Sequence, residues 1–460
     1  MSSEEHKLTP SPKPDTTRPI VRALPRTVRW VLPPLAVMAI GFLGVLLYMG
    51  GLGSPQQNLH EFPIAVVNED EGAQMPGPDG KQTDVQMGQE IADAIVAQGD
   101  DSDEVDFRLL SREDAEDALH RGDAYGAIVV PSDFSQRSTA LISASLGGDG
   151  DGQQPVIDIV TSPQAGSMTS RLATGVMDPA VSSASSSLGE QLLPSAQSQI
   201  QQLEKADGPT PSLTTVAEGT LSDPIVENQT VWEELPDGVA LGMGPFYWAV
   251  VALVVGLSGS VAVSTLVDGL NGVTPWEMGP SLKFYPPTGM SRLATFALKL
   301  GIVIIGAAGA SGLMMLAGAM VDVPMPNGGT LFLVTWLGIV TFGAATLSLI
   351  TVMGSAGMLV AMFYLVFMGL PSAGAVSPPE ALPGFFHGLS QWEPLHYLWL
   401  CTRDVFFFDA KADAGLGTGV LGLLGVLAAF LVLAVIVSPL WDRISGRRGL
   451  IHGTGKHAAV

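Results

Sequence analysis

The sequence predicts an integral membrane bundle of six α-helices, with a polar α/β domain inserted between the first and second helices. Composition is the first observation: a chain of 460 residues that is 47% hydrophobic and only 14% charged is too apolar for a soluble protein of this length. The second is that the apolar residues cluster in segments without Asp, Glu, Lys or Arg. The third is one long acidic segment between two of those clusters.

The uncharged segments set the number of spans, because a helix of about 20 apolar residues crosses a bilayer. The longest of them, residues 324–379, has room for two spans with a break near Met353–Met358. The first span is predicted to be a signal anchor, since its apolar core is too long for a cleaved signal peptide and 29 residues precede it. The six predicted spans are residues 30–51, 243–266, 298–320, 329–352, 355–376 and 417–439.

The positions of Lys and Arg predict the orientation, because the cytoplasmic loops of membrane proteins are enriched in these residues. Six of them lie in residues 1–29 and four in residues 441–460, and the loop after the second span carries Lys283 and Arg292. We therefore expect a multi-pass protein of the plasma membrane with both termini in the cytoplasm. The predicted divisions are a cytoplasmic tail (1–29), the first span (30–51), an acidic extracytoplasmic domain (52–238), a five-helix membrane domain (239–440) and a cytoplasmic tail (441–460).

The predicted extracytoplasmic domain is strongly acidic. Residues 52–238 contain 7 Lys or Arg and 32 Asp or Glu, a net charge of −25. Such a surface repels nucleic acid, so a nucleic-acid partner is not expected. Strand-like residues 64–68, 105–111 and 124–131 alternate with helical patterns, which predicts a small parallel sheet.

Residues 164–204 predict one or two long helices, which Pro179 and Pro194 would break or kink. We favour packing of this segment on its own domain over a stalk or a dimer surface.

Four polar residues lie at the carboxyl end of the first predicted strand. The carboxyl ends of parallel strands face the ligand crevice of an open sheet, which makes these residues ligand candidates. The interpretation we favour is a solvated turn in which Asn68 satisfies nearby backbone groups. The four candidates are Asn68, Glu69, Asp70 and Glu71.

The sequence predicts neither an enzyme nor a metal protein. It contains no complete G-x-x-x-x-G-K-[ST] phosphate loop, so we do not expect this chain to hydrolyse ATP. Its single cysteine, Cys401, excludes an intrachain disulfide. No charged residue falls in the middle of a predicted span, where ion-coupled transporters usually place one, and Lys299 near the end of the third span is expected to snorkel. A transporter built this way would take its energy from another subunit.

Three stretches together resemble the YhgE/Pip (phage infection protein) family of the ABC-2 type transporter permease superfamily. They are "IAVVNEDEGA" with the later "SREDAEDALHRGDAYGAIVVPSDFS", then "LKFYPPTGMSRLATFALKL", and "GLPSAGAVSPPEALPGFFHGLSQWEPLHYLWLCTRDVFFF". The first stretch carries the family positions Gly122 and Tyr125. The third resembles the extracytoplasmic segment before the last permease helix, with Pro379, Pro383, Phe386, Pro394, Tyr397 and Arg403 in the expected order.

The resemblance implies an ABC-2 type architecture of one helix, a large outer domain and five further helices. It also implies a permease that forms a homodimer, or a heterodimer with a homologue, in the bilayer. A separate nucleotide-binding ATPase subunit would dock on the cytoplasmic side and bind ATP, and this chain would bind no cofactor. Trp276 and Tyr285 have the alternative role of interfacial anchors. The candidates for contact with the ATPase are Pro275, Trp276, Glu277, Lys283, Phe284 and Tyr285.

Two hypotheses about function follow. The leading one is the permease subunit of an ATP-driven exporter that moves a lipid, an envelope precursor or an amphipathic compound outward. The alternative is a non-transporting envelope scaffold or surface receptor, such as a phage receptor or a secretion accessory protein. A membrane enzyme has no catalytic constellation to support it.

Overall fold

The computed structural model describes residues 26–52, 55–76, 82–100, 103–147, 152–205 and 212–446. The chain separates into two compact units, one ending at Leu47 and one beginning at Tyr48. Most of the basic residues used to predict the orientation, including Lys7, Arg18 and Arg448, lie outside the described residues.

Helix α1 (Arg26–Leu52) contains the first predicted span. Its described apolar segment, Met38–Leu52, is shorter than the roughly 20 residues that cross a bilayer. The first predicted span, and with it the predicted total of six, is therefore not confirmed.

An α/β domain follows α1. Its helices alternate with its strands along the first half of the domain, as the sequence predicts. The strands are β1 (Phe62–Asn68), β2 (Ala73–Pro76), β3 (Gln82–Val85), β4 (Val105–Leu110), β5 (Gly126–Val130), β6 (Val156–Thr161) and β7 (Val226–Val231). The helices are α2 (Met87–Asp100), α3 (Arg112–Arg121), α4 (Phe134–Ser145), α5 (Ser167–Lys205) and α6 (Thr215–Ser222).

The main sheet has five strands in the order β4-β1-β5-β6-β7. β1 pairs in parallel with both β4 and β5, which confirms that part of the prediction. β6, which is not among the three strands of the predicted parallel sheet, runs antiparallel to β5, and β7 pairs in parallel with β6. The connection through α4 places β6 beside β5 in the opposite direction and makes the sheet mixed.

Helix α5 is continuous through Pro179 and Pro194. One of its faces is buried in the core of the α/β domain, through Met177, Leu188 and Leu192 among others. The favoured packing of this segment on its own domain is therefore what the structure shows.

The second half of the chain is a helical membrane bundle. Five of its helical segments are long and apolar enough to cross a membrane: Gly244–Leu270, Arg292–Met320, Gly328–Met353, Ser355–Ser372 and Ala412–Ile444. They agree with the last five predicted spans, which makes this a multi-pass membrane protein. The helices are α7 (Gly244–Leu270), α8 (Arg292–Met320), α9 (Gly328–Met353), α10 (Ser355–Met362), α11 (Gly369–Ser372), α12 (Gly384–Ser390), α13 (Pro394–Phe407) and α14 (Gly417–Ser445).

The predicted break inside the long uncharged segment is a tight reversal at Gly354. This residue has φ of 64°, a left-handed conformation that glycine adopts without strain. A Cβ on the neighbouring Gly357 would lie 2.1 Å from the carbonyl oxygen of Leu349, so the two helices leave no room for a side chain there.

The bundle has two different ends. A short hairpin, β8 (Trp276–Met278) with β9 (Ser281–Lys283), connects α7 to α8 and marks what we call the hairpin end. The opposite end receives the α/β domain, together with α12 and α13, which are too short to span. Two π-helical segments adjoin that end, Phe363–Met368 between α10 and α11 and Ala412–Leu416 before α14. Such segments occur frequently at functional sites.

Candidate functional site

The α/β domain meets the membrane bundle at a buried polar contact that we call the junction. The hydroxyl of Tyr125, at the start of β5, donates to Glu380 Oε2 over 3.0 Å. The backbone N–H of His60 donates to the carbonyl oxygen of Glu380 over 2.9 Å. Tyr125 is buried, and burial is the main reason that its pKa is well above the ordinary value, followed by the nearby Glu380 carboxylate. The junction therefore joins two of the stretches on which the family resemblance rests, although they lie far apart in the sequence.

Arg403 of α13 lies beneath the carboxyl end of α3. Its side chain is buried, and its guanidinium lies 5.4 Å from the ring centre of Phe408. The α3 helix ends at Gly122 with φ of 74°, where a Cβ would lie 3.0 Å from Arg403 Nη2, so both the conformation and the close approach require glycine. The unpaired carbonyls of a helix carboxyl end attract a cation.

Burial lowers the pKa of Arg403, and nearby Tyr125, Asp404 and Glu380 oppose that shift. A guanidinium remains protonated at any physiological pH. Its Nε has no hydrogen-bond partner among the described residues. Arg403 is thus a buried positive charge held by its surroundings rather than by one close ion pair.

Asp404 ties α13 to the start of the last span. Its Oδ1 accepts from the backbone N–H of Lys411 over 3.1 Å, and its Oδ2 accepts from that of Leu416 over 2.6 Å. Burial raises its pKa to about 6. The Lys411 ammonium in turn lies 2.7 Å from Nε2 of His120 on α3, a second link between the bundle and the α/β domain.

Glu393 is a fully buried carboxyl group at the first turn of α13. Its Oε2 accepts from the backbone N–H of His396 over 2.9 Å, and its Oε1 has no partner among the described residues. Burial raises the pKa of Glu393 to about 8, so the group is largely neutral at physiological pH. His396 donates from Nδ1 to the carbonyl oxygen of Ala373 over 2.9 Å, and burial lowers its pKa to about 4.

An aromatic cavity of about 440 Å³ lies beside these helices, between the Ser355–Ser372 span and α14. The hydroxyls of Tyr364 and Tyr397 donate to the backbone carbonyls of Trp392 and Gln391, both over 2.6 Å. With their polar atoms bonded to the backbone, the rings present apolar faces to the cavity. The lining residues are Tyr364, Gln391, Trp392, Tyr397, Gly422, Gly425, Val426, Ala429 and Phe430.

The predicted motif before the last helix comes together at this end of the bundle. Pro383 precedes α12 and Pro394 begins α13, positions at which the missing N–H of proline costs no helical hydrogen bond. Phe386 is buried, Tyr397 lines the cavity and Arg403 belongs to the junction. The sequence did not single out Glu393 as a buried acid, and its position one residue before a helix-starting proline was the available signal.

The six predicted ATPase-contact residues lie in and around the hairpin. Trp276 packs on Gly269 of α7, and its ring centre lies 6.4 Å from that of Tyr285 and 5.8 Å from Lys283 Nζ. Phe284 is 76% exposed. Pro275 and Glu277 complete the group at the same end of the bundle.

Three of the four polar residues at the carboxyl end of β1 bond through their side chains to the α/β domain itself. Asp70 accepts from the backbone N–H of Gly88 over 3.1 Å, from that of Ser135 over 2.9 Å and from the Ser135 hydroxyl over 2.5 Å. Its carboxylate therefore occupies the amino ends of α2 and α4, where a ligand anion would bind. Asn68 accepts from the Asp70 N–H, Glu69 is paired with Arg112 at 2.9 Å, and Glu71 lies on the exposed edge.

The expectation that Lys299 snorkels is wrong. Helix α8 begins at Arg292, so Lys299 lies two turns inside the helix, where it is only 3% exposed. Its ammonium is 2.7 Å from Asp268 of α7. Within the described part of the chain, no three His, Cys, Asp or Glu side chains are grouped so that they could hold a metal ion.

Replacing Arg403 with methionine should loosen the junction. The change removes the cation at the end of α3, with an expected cost of about 2 kcal/mol. Amide hydrogen exchange should accelerate in residues 112–126 and stay unchanged in α9. Arg121→Met is the matched control, since Arg121 is an exposed arginine at the same helix end. Equal effects of the two variants would contradict this role of Arg403.

Replacing Glu393 with glutamine should change the pH dependence of stability. The pKa of Glu393 is about 8 in the folded protein and ordinarily 4.5, so unfolding releases a proton and stability falls as pH rises through this interval. Between about pH 7 and pH 8, where His396 is mostly neutral in both states, the loss is about 1 kcal/mol. Thermal unfolding in detergent should show this slope for the wild type and for Glu277→Gln but not for Glu393→Gln. An unchanged slope in Glu393→Gln would contradict the assignment.

Comparison with known proteins places the chain in a family. A domain assigned to an ABC type-2 transporter of Thermotoga maritima MSB8 is similar over 37% of this chain and 88% of that one, with 20% identity. Its TM-score of 0.22 is too low to carry an argument about this chain. A search of curated proteins found no match. The profile of the family described as Protein of unknown function (DUF3533) matches residues 35–436, and the chain belongs to that family.

Proposed function

We propose that this chain is the permease subunit of an exporter, of the YhgE/Pip and ABC-2 type, that moves an amphipathic compound outward across the plasma membrane. A separate ATPase supplies the energy. The hairpin and both termini face the cytoplasm, and the α/β domain faces outward. The working unit is a dimer of this chain or a pair with a homologous permease.

The observation that carries this proposal is the aromatic cavity between two spans. Aromatic rings bind apolar groups through large, rigid contact surfaces. The short helix α13 forms part of the cavity wall through Tyr397, is capped by the buried Glu393 and carries the buried Arg403. A compound with an apolar body and a polar group matches that arrangement.

The junction supports a role for the α/β domain in transport. Arg403 and Asp404 are neighbours on α13, and they contact α3 of the α/β domain and the start of the last span respectively. A movement of the α/β domain therefore reaches the last span through a single short helix. The same helix lines the cavity, so domain movement and cavity shape are coupled.

The hairpin supports docking of an ATPase at the other end. Phe284, Leu282 and Met278 are all more than half exposed there, while Trp276 anchors the hairpin on α7. Exposed apolar side chains on a segment that is packed against a helix are typical of a protein contact surface.

Filling the cavity should impair transport. Gly425 lines the cavity, and a Cβ there meets no atom within 4 Å, so Gly425→Phe places its ring in the cavity without a backbone clash. We expect wild-type cells to accumulate less of a fluorescent amphipathic dye than cells lacking the chain. Gly425→Phe should weaken this export about tenfold, or about 1.4 kcal/mol.

Leu421→Phe is the matched control on the same helix, because Leu421 is 72% exposed and does not line the cavity. It should export like the wild type. The assay is repeated with a panel of cationic, anionic and neutral dyes. If wild-type cells accumulate every dye to the same level as cells lacking the chain, transport of such compounds is contradicted.

The energy source is tested by gentle purification of the full chain from its native host, followed by mass spectrometry. We expect a near-stoichiometric partner that bears a G-x-x-x-x-G-K-[ST] loop. Phe284→Ser should lose that partner, since it removes the most exposed apolar side chain of the hairpin. Val216→Ser, at an exposed valine of α6, should retain it. A homo-oligomer without an ATPase would contradict the ATP-driven form.

A further inference from the structure

A buried ion pair lies at the hairpin end of the bundle, and neither of its residues lines the aromatic cavity. The Lys299 ammonium of α8 is 2.7 Å from Asp268 Oδ1 of α7 and donates to the Ser264 hydroxyl over 2.9 Å. The side chains of Lys299 and Asp268 are only 4% and 13% exposed. Both residues belong to helices that cross the membrane.

A cavity of about 380 Å³ opens beside this pair. Asp268 lines it directly, and most of the other polar groups around it are hydroxyls. The cavity lies against the carboxyl ends of two membrane helices, α7 and α9, and against the chain reversal at Gly354. Its lining residues are Val261, Ser264, Thr265, Asp268, Val273, Thr274, Ile350, Gly354, Ser355 and Met358.

Stability alone gives no reason to keep this pair. The cost of removing two charges from water offsets most of their attraction, so a buried ion pair is commonly no more stabilising than apolar residues of similar size. Ionisable residues inside a membrane mark ion or substrate sites instead. The carboxyl ends of membrane helices and nearby oxygen atoms are the groups that coordinate Na⁺ in many transporters.

We propose that this cavity binds a small monovalent cation, which takes the place of the Lys299 ammonium at the Asp268 carboxylate and releases one proton. The carboxylate balances a single positive charge. When the cation binds, Lys299 therefore gives its proton to water and remains as a neutral amine beside Ser264. The charge within the cavity is the same before and after the exchange.

Among the lining residues of the cavity, only Asp268 is ionisable. α9 and α10, which form the opposite wall, contain no ionisable side chain. On α8 and α14 the nearest charged groups are Arg292 and Asp442, paired with each other at 2.6 Å, and Arg443 follows them. The hairpin segment adds Glu277 and Lys283, neither of which lines the cavity.

The exchange offers the bundle a second source of energy. A site that alternates between a proton and a cation couples conformational change to an ion gradient. This inference does not depend on the proposed ATPase, since it uses only residues of this chain. It concerns a cavity that shares no lining residue with the aromatic one, so either proposal stands if the other fails.

Proton release tests the inference. The purified full chain, in detergent and weak buffer with a pH-sensitive dye, receives NaCl or KCl at constant ionic strength. We expect about one proton per chain to be released by at least one of these salts. Tetramethylammonium chloride should release none, because its methyl groups keep oxygen ligands from its charge. No release with Na⁺ or K⁺ would overturn the proposal.

Three variants locate the site. Asp268→Asn should abolish the release, and so should Lys299→Arg, which keeps a positive charge but does not give up a proton. Asp442→Asn is the matched control, since it disrupts a partly buried ion pair at the same end outside the cavity, and it should release the proton like the wild type. Release that persists in Asp268→Asn or Lys299→Arg would overturn the assignment.

Thermal unfolding provides a second measurement, in which each protein is compared with itself in different salts. A cation that binds only the folded protein raises its unfolding temperature. The active salt should therefore stabilise the wild type relative to tetramethylammonium chloride, and should not do so for Asp268→Asn. Equal unfolding temperatures of the wild type in all three salts would contradict a bound cation.

Discussion

The structure depends on the burial of charged groups where a polar domain meets a membrane bundle. Arg403 is buried, stacks on Phe408 and lies at the carboxyl end of α3. A charge in such a position is stable only if fixed dipoles and nearby charges replace the water it has lost. That requirement explains the glycine at the end of α3, the Tyr125 to Glu380 hydrogen bond and the carboxylate of Asp404 that fixes the start of the last span.

The two ends of the bundle differ in structure. At the α/β-domain end, α12 and α13 fill the space between the domain and the spans and form part of an aromatic cavity. At the hairpin end, Trp276 packs on α7, and the exposed apolar residues of the hairpin lie nearby. The backbone N–H groups of Val273 and Thr274 donate to the carbonyl oxygen of Asp268, which ties the approach to the hairpin to the helix that carries the buried ion pair. Asp268 therefore takes part both in the ion pair and in the backbone hydrogen bonds between α7 and the hairpin.

The acidic turn after β1 shows how one residue type supports two interpretations. Carboxylates at the end of a parallel strand are placed as ligand-binding groups are. Here Asp70 accepts three hydrogen bonds from the amino ends of α2 and α4, so the carboxylate holds the domain together where a bound anion would otherwise lie. The sequence could not separate these cases, because Ser135 is 65 residues away from Asp70 and only folding brings them together.

The sequence by itself determined the five confirmed spans and the capping of α3, where the Ser111 side chain accepts from the Asp114 N–H three residues later. These features are local, since hydropathy and capping depend on residues within a few turns of each other. The tertiary structure alone decided the antiparallel pairing of β6, the pairing of Lys299 with Asp268 and the environment of Glu393. Each of these depends on which distant segment packs alongside, and burial by that segment is what converts an ordinary charged residue into a buried acid or an internal ion pair.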